Sequence, residues 1–224
     1  MSLRDKNLVP NEYYHIYNRG NGKNEIFHDE EDYLRFMKLL YLHNTKKNIN
    51  FRDLIVNNKI DAFDFERGTP LVSVLAWVLM PNHFHIVLIS PRSDLGEEYN
   101  PITEFMRKVS TSYAMYFNKK YKRTGSLFEG NFKSKHIGEE NYFNYIFAYV
   151  HLNPIKLIQS DWKEKGIIDK EYALEYLKNF PYSSFQDYFG SPRKQGKIIS
   201  KSFMPDYFHN NHVNELLDWI KQSP

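Results

Sequence analysis

Two strongly apolar runs, separated by a short break, constrain the fold more than any other feature of this chain. The runs are Leu71–Leu79 and Phe84–Ile89, and the break is Met80-Pro81-Asn82. Strands that are apolar on both faces belong in the centre of a sheet, and a Pro-Asn break indicates a tight antiparallel turn. The chain is therefore expected to be built around a buried hairpin.

The segments on either side of this hairpin alternate between strand and helix patterns. The resulting order is strand, helix, strand, strand, helix, strand, helix, which favours a split βαβ arrangement over a parallel doubly wound sheet. We predict an α+β fold, with a ferredoxin/RRM-like central antiparallel sheet and helices on one face. The flanking segments are a strand at 12–19, a helix capped by Asp29, a helix over Ile102–Tyr121, an edge strand over Asn131–Ile137, and a helix from Glu139 to near Pro154.

Beyond residue 158 the periodic pattern weakens, which indicates a boundary. We predict one main domain over 1–158 and a mostly helical C-terminal extension over 159–224 that packs on it. That extension shows short helices near Tyr172–Leu177 and Val213–Ile220. Residues 44–69 are polar and are interpreted as an insertion, for which a short hairpin is one possibility.

Composition excludes several classes of protein. The 224 residues are 42% hydrophobic and 17% aromatic, which is enough for a packed core. Cysteine is absent, so a disulfide framework, a thiolate zinc site and a cysteine nucleophile are excluded. The longest mostly apolar stretch is too short to cross a bilayer, and no signal peptide opens the chain. A soluble, intracellular protein is expected.

The positive charge is concentrated in one stretch. The formal net charge is only +3, yet residues 107–135 hold eight basic residues and one acid, Glu129, so that the rest of the chain is weakly acidic. Aromatic residues are interleaved there, as in proteins that stack the bases of single-stranded nucleic acid. This pattern indicates a polyanionic partner on one face, and an ordinary solvated helix end remains the alternative.

His83 and His85 open the second apolar run. Alternation along a strand directs residues i and i+2 to the same face, so the two imidazoles lie side by side. Two imidazoles supply two of the three ligands of a facial metal site, although nine histidines also allow a chance pair. With no cysteine, a third ligand must offer oxygen or nitrogen, which shifts the expected metal towards Mg²⁺ or Mn²⁺.

Asn153 is a candidate for that third ligand. It follows Tyr149 by four residues, so on a helix the two side chains share one face. A tyrosine in this position can act as a nucleophile on a metal-bound phosphate. The residues alone do not choose between Tyr149, Tyr145 and Tyr142, and an asparagine before proline is also a common helix end.

Four short motifs, in this order, make the chain resemble the REP-associated tyrosine transposases, relatives of the single-tyrosine HUH transposases of bacterial insertion sequences. The resemblance covers roughly residues 10–190. Glu129 and Asn131 depart from the Gln and Arg often found in relatives, which bears on the DNA that is preferred. The motifs are Tyr14-His15-Ile16-Tyr17-Asn18-Arg19-Gly20, Met80-Pro81-Asn82-His83-Phe84-His85, Gly125-Ser126-Leu127-Phe128 and Tyr149-Val150-His151-Leu152-Asn153-Pro154.

The resemblance implies a site and a reaction. It makes 1–158 an HUH catalytic domain in which Tyr149 is the nucleophile and His83, His85 and Asn153 bind the divalent metal, Mg²⁺ or Mn²⁺. The implied activity is cutting and rejoining of single-stranded DNA next to hairpin-forming repeats, through a covalent 5′-phosphotyrosine intermediate. The expected DNA contacts are Arg19, Arg107, Lys119, Lys120, Lys122, Arg123, Lys133 and Lys135.

The partners implied are hairpin-bearing single-stranded DNA and no membrane, with a monomer or a weak homodimer located in the cytoplasm at the nucleoid. Two other functions remain open from the residues. One is a domesticated, non-catalytic DNA-hairpin binding protein. The other is a zinc hydrolase built on the histidine pair, although no carboxylate stands at a recognisable spacing from it.

Overall fold

The computed structural model describes residues 8–90, 100–205 and 215–217. Its centre is a four-stranded antiparallel sheet in the order β2-β3-β1-β4. Because β3 lies between β1 and β2 and is antiparallel to both, β1 and β2 are parallel, which is the split βαβ arrangement that the sequence predicts. The strands are β1 (Tyr13–Arg19), β2 (Ser73–Met80), β3 (His83–Ile89) and β4 (Lys133–Ile137).

Helices cover both faces of the sheet, whereas the sequence analysis expected them on one. The reason is that alternate residues of β2 and β3 are apolar on each side, so two separate cores form. Helices α1 and α2 pack on one face, and α3 with the short helices that follow packs on the other. The helices are α1 (Glu30–Leu42), α2 (Pro101–Lys120), α3 (Glu140–Leu152), α4 (Trp162–Lys165), α5 (Lys170–Asn179) and α6 (Phe185–Phe189).

The predicted hairpin is confirmed, and its turn is tight. Met80 pairs with His83, which leaves only Pro81 and Asn82 in the loop between β2 and β3. Of the two hairpin strands, β3 lies in the middle of the sheet beside β1, whereas β2 is at its edge, although the sequence predicts a central position for both. Every residue of β2 is nevertheless buried, because a later segment of the chain covers that edge.

The covering segment comes from the C-terminal extension. The amide of Leu79 donates to the carbonyl of Tyr182 at 2.8 Å, the amide of Ser184 donates to Trp77 at 2.9 Å, and Ser200 donates to Val74 at 2.8 Å. An edge strand otherwise exposes unpaired backbone groups. The extension therefore pairs with the sheet as well as packing helices against it. The predicted final helix near 213–220 lies largely outside the described residues.

The 44–69 segment forms helical turns, and no hairpin appears within it. Arg52–Val56 and Ala62–Asp64 are short helical turns, and Asp61 caps the second by accepting a hydrogen bond from the amide of Phe63 at 3.0 Å. Ile55 and Phe63 are buried in the core that contains α1. The Asn50 side chain accepts hydrogen bonds from the amides of Arg52 and Asp53, which starts a helical turn in place of a strand.

Within the described part of the chain, no helix has the length and apolar character needed to span a membrane.

Candidate active site

His83 and His85 lie on the face of β3 that α3 covers. Their ring centroids are 5.1 Å apart. Phe84, between them in sequence, points to the opposite face, where it contacts Phe36 of α1 at 5.1 Å between centroids. The alternation expected from the sequence is thus present, and both imidazoles face the same layer.

Tyr149 approaches this pair from α3. Its ring centroid is 5.2 Å from that of His85 and 6.4 Å from that of His15. Tyr145 stacks on Tyr149 with ring centroids 6.3 Å apart, and Tyr142, one turn closer to the N-terminus of α3, stacks on Tyr145. Of the three tyrosines that the sequence leaves open, Tyr149 is the one with a ring contact to the histidines among the described residues.

Asn153 completes the group. It begins the short 3-10 turn Asn153–Leu157 that follows α3, and Pro154 prevents α3 from continuing. Its side chain lies beside both His83 and Tyr149 and affects the pKa values of both. Asn153 is only 2% exposed, and among the described residues its Oδ1 has no hydrogen-bond partner. A buried oxygen without a partner costs about 1–3 kcal/mol, and this atom is free to accept a bond from a ligand.

A hydrogen bond fixes the ring of His83. Its Nδ1 lies 2.6 Å from Oδ1 of Asn82, and Nδ2 of the same amide donates to the carbonyl of Lys23 at 3.1 Å. Because Oδ1 can only accept, Nδ1 of His83 donates and Nε2 is left unprotonated. This is the arrangement in which a histidine binds a metal through Nε2.

His15 on β1 forms a hydrogen bond with the ring of His85. The distance between His15 Nε2 and His85 Nδ1 is 2.8 Å, and the two rings stack with centroids 4.9 Å apart. When His85 Nδ1 donates this proton, His85 Nε2 is left with its lone pair. The three histidines and Tyr17, which stacks on His15 at 5.0 Å, form one layer.

Burial keeps these imidazoles neutral. It lowers the pKa of His83 to about 4, an effect to which the charge of Lys156 adds and which Asn153 opposes. It lowers the pKa of His15 to about 3, with further contributions from Lys135 and Lys163. The pKa of His85 falls well below its usual value for the same reason. Neutral imidazoles at neutral pH are the form that binds metal.

A lysine lies over the tyrosine ring. Lys163 Nζ of α4 is 3.7 Å from the ring centroid of Tyr149. Burial raises the pKa of the Tyr149 hydroxyl, while Asn153 lowers it. Burial, followed by the charge of Lys156, lowers the pKa of Lys163. A positive charge at this position favours the phenolate form.

These residues fit a small divalent cation. Across residues 8–90, 100–205 and 215–217, no group of three or more histidine, aspartate or glutamate side chains is arranged to hold a metal. The group here is different, because it combines two neutral imidazoles with the amide oxygen of Asn153. Three neutral ligands leave the positive charge of a metal available to a phosphate.

Three of the predicted DNA contacts already have anionic partners within the chain. Arg19 forms a bidentate ion pair with Glu129, with Nη2 at 2.9 Å from Oε1. Lys120 binds a carboxylate cluster on and before α1, at 2.7 Å from Asp29 and 2.9 Å from Asp32. Glu104 and Arg107 form a pair on α2 at 2.8 Å.

The other predicted contacts divide between the two sides of the molecule. Lys135 is paired across the strands with His15, and Lys133 with Tyr17, so both lysines lie on the face that carries the histidines. Lys119 lies on the outer side of α2, on the opposite face of the sheet. Lys122 and Arg123 follow α2, and the Arg123 guanidinium is 5.5 Å from the Phe117 ring.

Sequence reasoning did not assign Lys156 or Lys163 to this group, and for His15 it favoured a structural role over a place near the site. His15 and Tyr17 alternate on β1 as His83 and His85 do on β3, so a correct pairing of the two strands would have placed them together. No comparable signal exists for Lys163, which reaches Tyr149 only through the packing of α4 on α3. His151, two residues after Tyr149, is fully buried and hydrogen-bonded to Phe147 and Ser184.

Comparison with models of protein families finds no match, and comparison with curated protein sequences finds none either. Among solved structures, the chain is similar to a REP-associated tyrosine transposase bound to a REP hairpin, with a TM-score of 0.49, 13% identity, and coverage of 87% of this chain and 90% of that chain. It is also similar to the tRNA(His) guanylyltransferase from Saccharomyces cerevisiae, with a TM-score of 0.33, 12% identity, and coverage of 92% and 86%. At these values neither likeness identifies a function.

Proposed function

We propose that this protein cuts and rejoins single-stranded DNA by divalent-metal-dependent transesterification, with Tyr149 as the nucleophile and His83, His85 and Asn153 as the metal ligands. The observation that supports it is the convergence of these residues from β3, α3 and the turn after α3. The histidine pair stands 64 to 70 positions before Tyr149 and Asn153 in sequence, yet the four residues lie together, with the Asn153 amide oxygen buried and unpaired among the described residues. The preference for hairpin-forming repeats rests on the motif resemblance.

The proposed reaction breaks one phosphodiester bond and makes another. The Tyr149 phenolate oxygen attacks the phosphorus, and the bond from phosphorus to the 3′ oxygen of the preceding nucleotide breaks. The phenol gives up its proton and the departing 3′ oxygen takes one up. A 5′-phosphotyrosine and a free 3′-hydroxyl result, and attack by a 3′-hydroxyl on this ester reverses the process and reseals a strand.

The residues of the chain have separate parts in this reaction. A bound Mg²⁺ or Mn²⁺ supplies polarisation of the phosphoryl oxygens. Lys163, 3.7 Å from the Tyr149 ring centroid, stabilises the phenolate that burial otherwise disfavours. Lys133 and Lys135 on β4 offer positive charge to the DNA backbone on the same face.

Covalent capture tests the proposal. Purified protein is mixed with hairpin-bearing single-stranded oligonucleotides of random flank, in Mg²⁺, in Mn²⁺ or in chelator, and examined by intact mass. We expect an adduct that needs metal and disappears in Tyr149→Phe and in His83→Ala. Tyr145→Phe is the matched control, because its ring stacks on Tyr149 without contacting the histidines, and it should retain the adduct.

Two outcomes would contradict the proposal. An adduct that survives in Tyr149→Phe would assign the nucleophile elsewhere. Tight, salt-sensitive DNA binding with no adduct from the unaltered protein in any metal would favour a non-catalytic hairpin-binding protein.

A further inference from the structure

A groove lies on the side of the sheet opposite the candidate active site. One wall is the outer side of α2, and the other is the 48–56 segment, part of the insertion that the motifs do not cover. The groove encloses about 780 Å³. Helices α2 and α3 pack on opposite faces of the sheet. A ligand that reaches both Tyr149 and this groove must therefore place a different part of itself in each.

The two walls are fastened together. The Arg35 guanidinium of α1 lies between them, 3.7 Å from the ring centroid of Phe51 and 4.5 Å from that of Tyr116. Lys108 of α2 is buried, and its Nζ donates to the carbonyls of Thr45 at 2.9 Å and Lys47 at 3.1 Å. These contacts fix the positions of the two walls before any ligand arrives, which lowers the entropic cost of binding.

The lining is cationic. It includes several lysines and arginines, and no carboxylate is among the described residues that line it. Arg107 forms an ion pair with Glu104 on the same helix, which partly neutralises its charge. Lys119 and Arg52 stand on opposite walls, both are exposed, and their side chains have no ion pair within the described part of the chain. An anionic ligand therefore has two available charges here.

Apolar surface lies between these charges. Met115 of α2 is 70% exposed and Val56 on the facing wall is 53% exposed. Methionine adapts to flat, irregular partners because its side chain is unbranched and polarisable. His43 also lines the groove, but it is buried, so its ring is not available to a ligand. The groove thus combines anion-binding charge with apolar contact surface.

We propose that this groove binds a single-stranded segment of the DNA substrate, with Lys119 and Arg52 on its phosphates and Met115 and Val56 against its bases. This inference rests on the proposed function and adds a second DNA contact, away from the phosphate that is cut. A single strand matches the lining better than a duplex, because only unpaired bases offer their flat faces to apolar side chains.

Binding measurements test this inference. The probe is a fluorescein-labelled hairpin with a single-stranded flank of about 15 nucleotides, a length in the range of known single-strand sites, compared with the same hairpin without a flank. The variant is Lys119→Glu with Arg52→Glu. The control is Lys170→Glu with Lys178→Glu, which makes the same charge change on exposed positions of α5. Circular dichroism checks that all forms are folded.

We expect the groove variant to bind the flanked hairpin about 10-fold more weakly. The salt dependence of log K should also become shallower, by about 1 for each phosphate that the variant no longer binds. The control pair should keep both values. Equal binding by the groove variant and the unaltered protein would overturn the inference. Equal weakening for the flanked and flankless hairpins would also overturn it, because the groove would then hold a duplex backbone.

The same variants separate this inference from the proposed function. Covalent capture is measured on a short oligonucleotide that spans only the cleavage site. Adduct formation with unchanged flank binding by the groove variant would leave the proposed function intact and refute the groove. If the groove variant weakens binding of the flank but the unaltered protein forms no adduct, the groove is supported and the proposed function is refuted.

Discussion

At the scale of single residues, the histidine pair depends on neighbours that lie outside it. Asn82 holds the ring of His83 through Nδ1, and His15 meets Nδ1 of His85 at 2.8 Å. In both histidines Nδ1 is occupied, so Nε2 is the atom left for a metal. Partners of this kind set the tautomer and the orientation of a ligating imidazole.

For His15 we expect a measurable effect on metal affinity in the absence of DNA. His15→Leu removes the hydrogen-bond partner of His85 Nδ1 and should weaken Mn²⁺ binding by about 10- to 100-fold, as measured by calorimetry or by electron paramagnetic resonance. His15→Gln provides an amide oxygen at a similar reach and should restore much of the affinity. Full affinity in the Leu variant would show that His15 has only a packing role.

For Lys163 we expect an effect on the pH dependence of adduct formation. Lys163→Met removes the positive charge over the Tyr149 ring, so the pKa of this hydroxyl, already raised by burial, rises further. The pH of half-maximal capture should increase by about one unit, which corresponds to about 10-fold less adduct at a fixed pH below it. Lys165→Met is the control, since Lys165 is 70% exposed and paired with Asp161. An unchanged pH profile in Lys163→Met would contradict this role.

Sequence reasoning reached the histidine pair because strand alternation is a local rule. It reached Tyr149 and Asn153 only through the motif resemblance, since Tyr142 and Tyr145 share the same helical pattern. Arg19 and Lys120 show the limit of counting charge along the chain. Their carboxylate partners, such as Glu129 and Asp29, are about 90 to 110 positions away in sequence and become neighbours only on folding.

At the scale of elements, a buried ion pair within the C-terminal extension fixes the turn that pairs with β2. Arg193 binds Asp187, whose side chain is 1% exposed, with Nε at 2.7 Å from Oδ1. The same guanidinium donates to the carbonyls of Pro181 and Ser183. It therefore fixes the 181–187 turn, whose backbone pairs with β2 at Trp77 and Leu79.

We expect Arg193→Met to lower the free energy of unfolding by about 3 kcal/mol, because Asp187 is left buried without its partner. Lys194→Met, next in sequence, removes surface ion pairs with Asp61 and Asp64 and should cost less than about 1 kcal/mol. Urea denaturation measures both. Similar small losses of unfolding free energy in the two variants would show that the ion pair is not needed to hold the extension.

The sequence predicts the regular elements well and the extension poorly. β1, α1, α2 and α3 each have periodic patterns with clear ends, such as the cap at Asp29, which accepts from the amide of Asp32 at 3.1 Å. The contacts made by Tyr182 and Ser184 with β2 are backbone hydrogen bonds, which leave no mark on side-chain periodicity. The same holds for β2, whose apolar run indicates burial without telling an edge from a centre.

At the scale of the whole molecule, buried histidines link stability to pH. Burial lowers the pKa of each below 6.5 in the folded chain, so between about pH 6.5 and 4 the unfolded chain binds more protons than the folded one. Stability is therefore expected to fall as the pH falls through this range. The histidines are His15, His43, His83, His85 and His151.

His43→Leu should make this dependence shallower. His43 has a pKa lowered to about 4 and no hydrogen-bond partner among the described residues, so leucine removes its protonation without breaking a bond. The slope of unfolding free energy against pH should decrease by up to about 1.4 kcal/mol per unit between pH 6.5 and 4. Urea denaturation at pH 7 and at pH 5 measures it. If the variant and the unaltered protein lose the same unfolding free energy between pH 7 and pH 5, His43 does not contribute to the pH dependence.

The packing of α3 on its own sheet has a consequence for genetics. The Tyr149 ring lies 5.2 Å from the His85 ring of the same chain, so each polypeptide carries all of the groups that the proposed reaction needs. Two defective alleles, Tyr149→Phe and His83→Ala, should then fail to complement each other at any ratio, in a mixture of purified proteins as in a cell that makes both. Rescue would require one copy to lend its tyrosine to another. If none occurs, a single intact molecule is the smallest active unit.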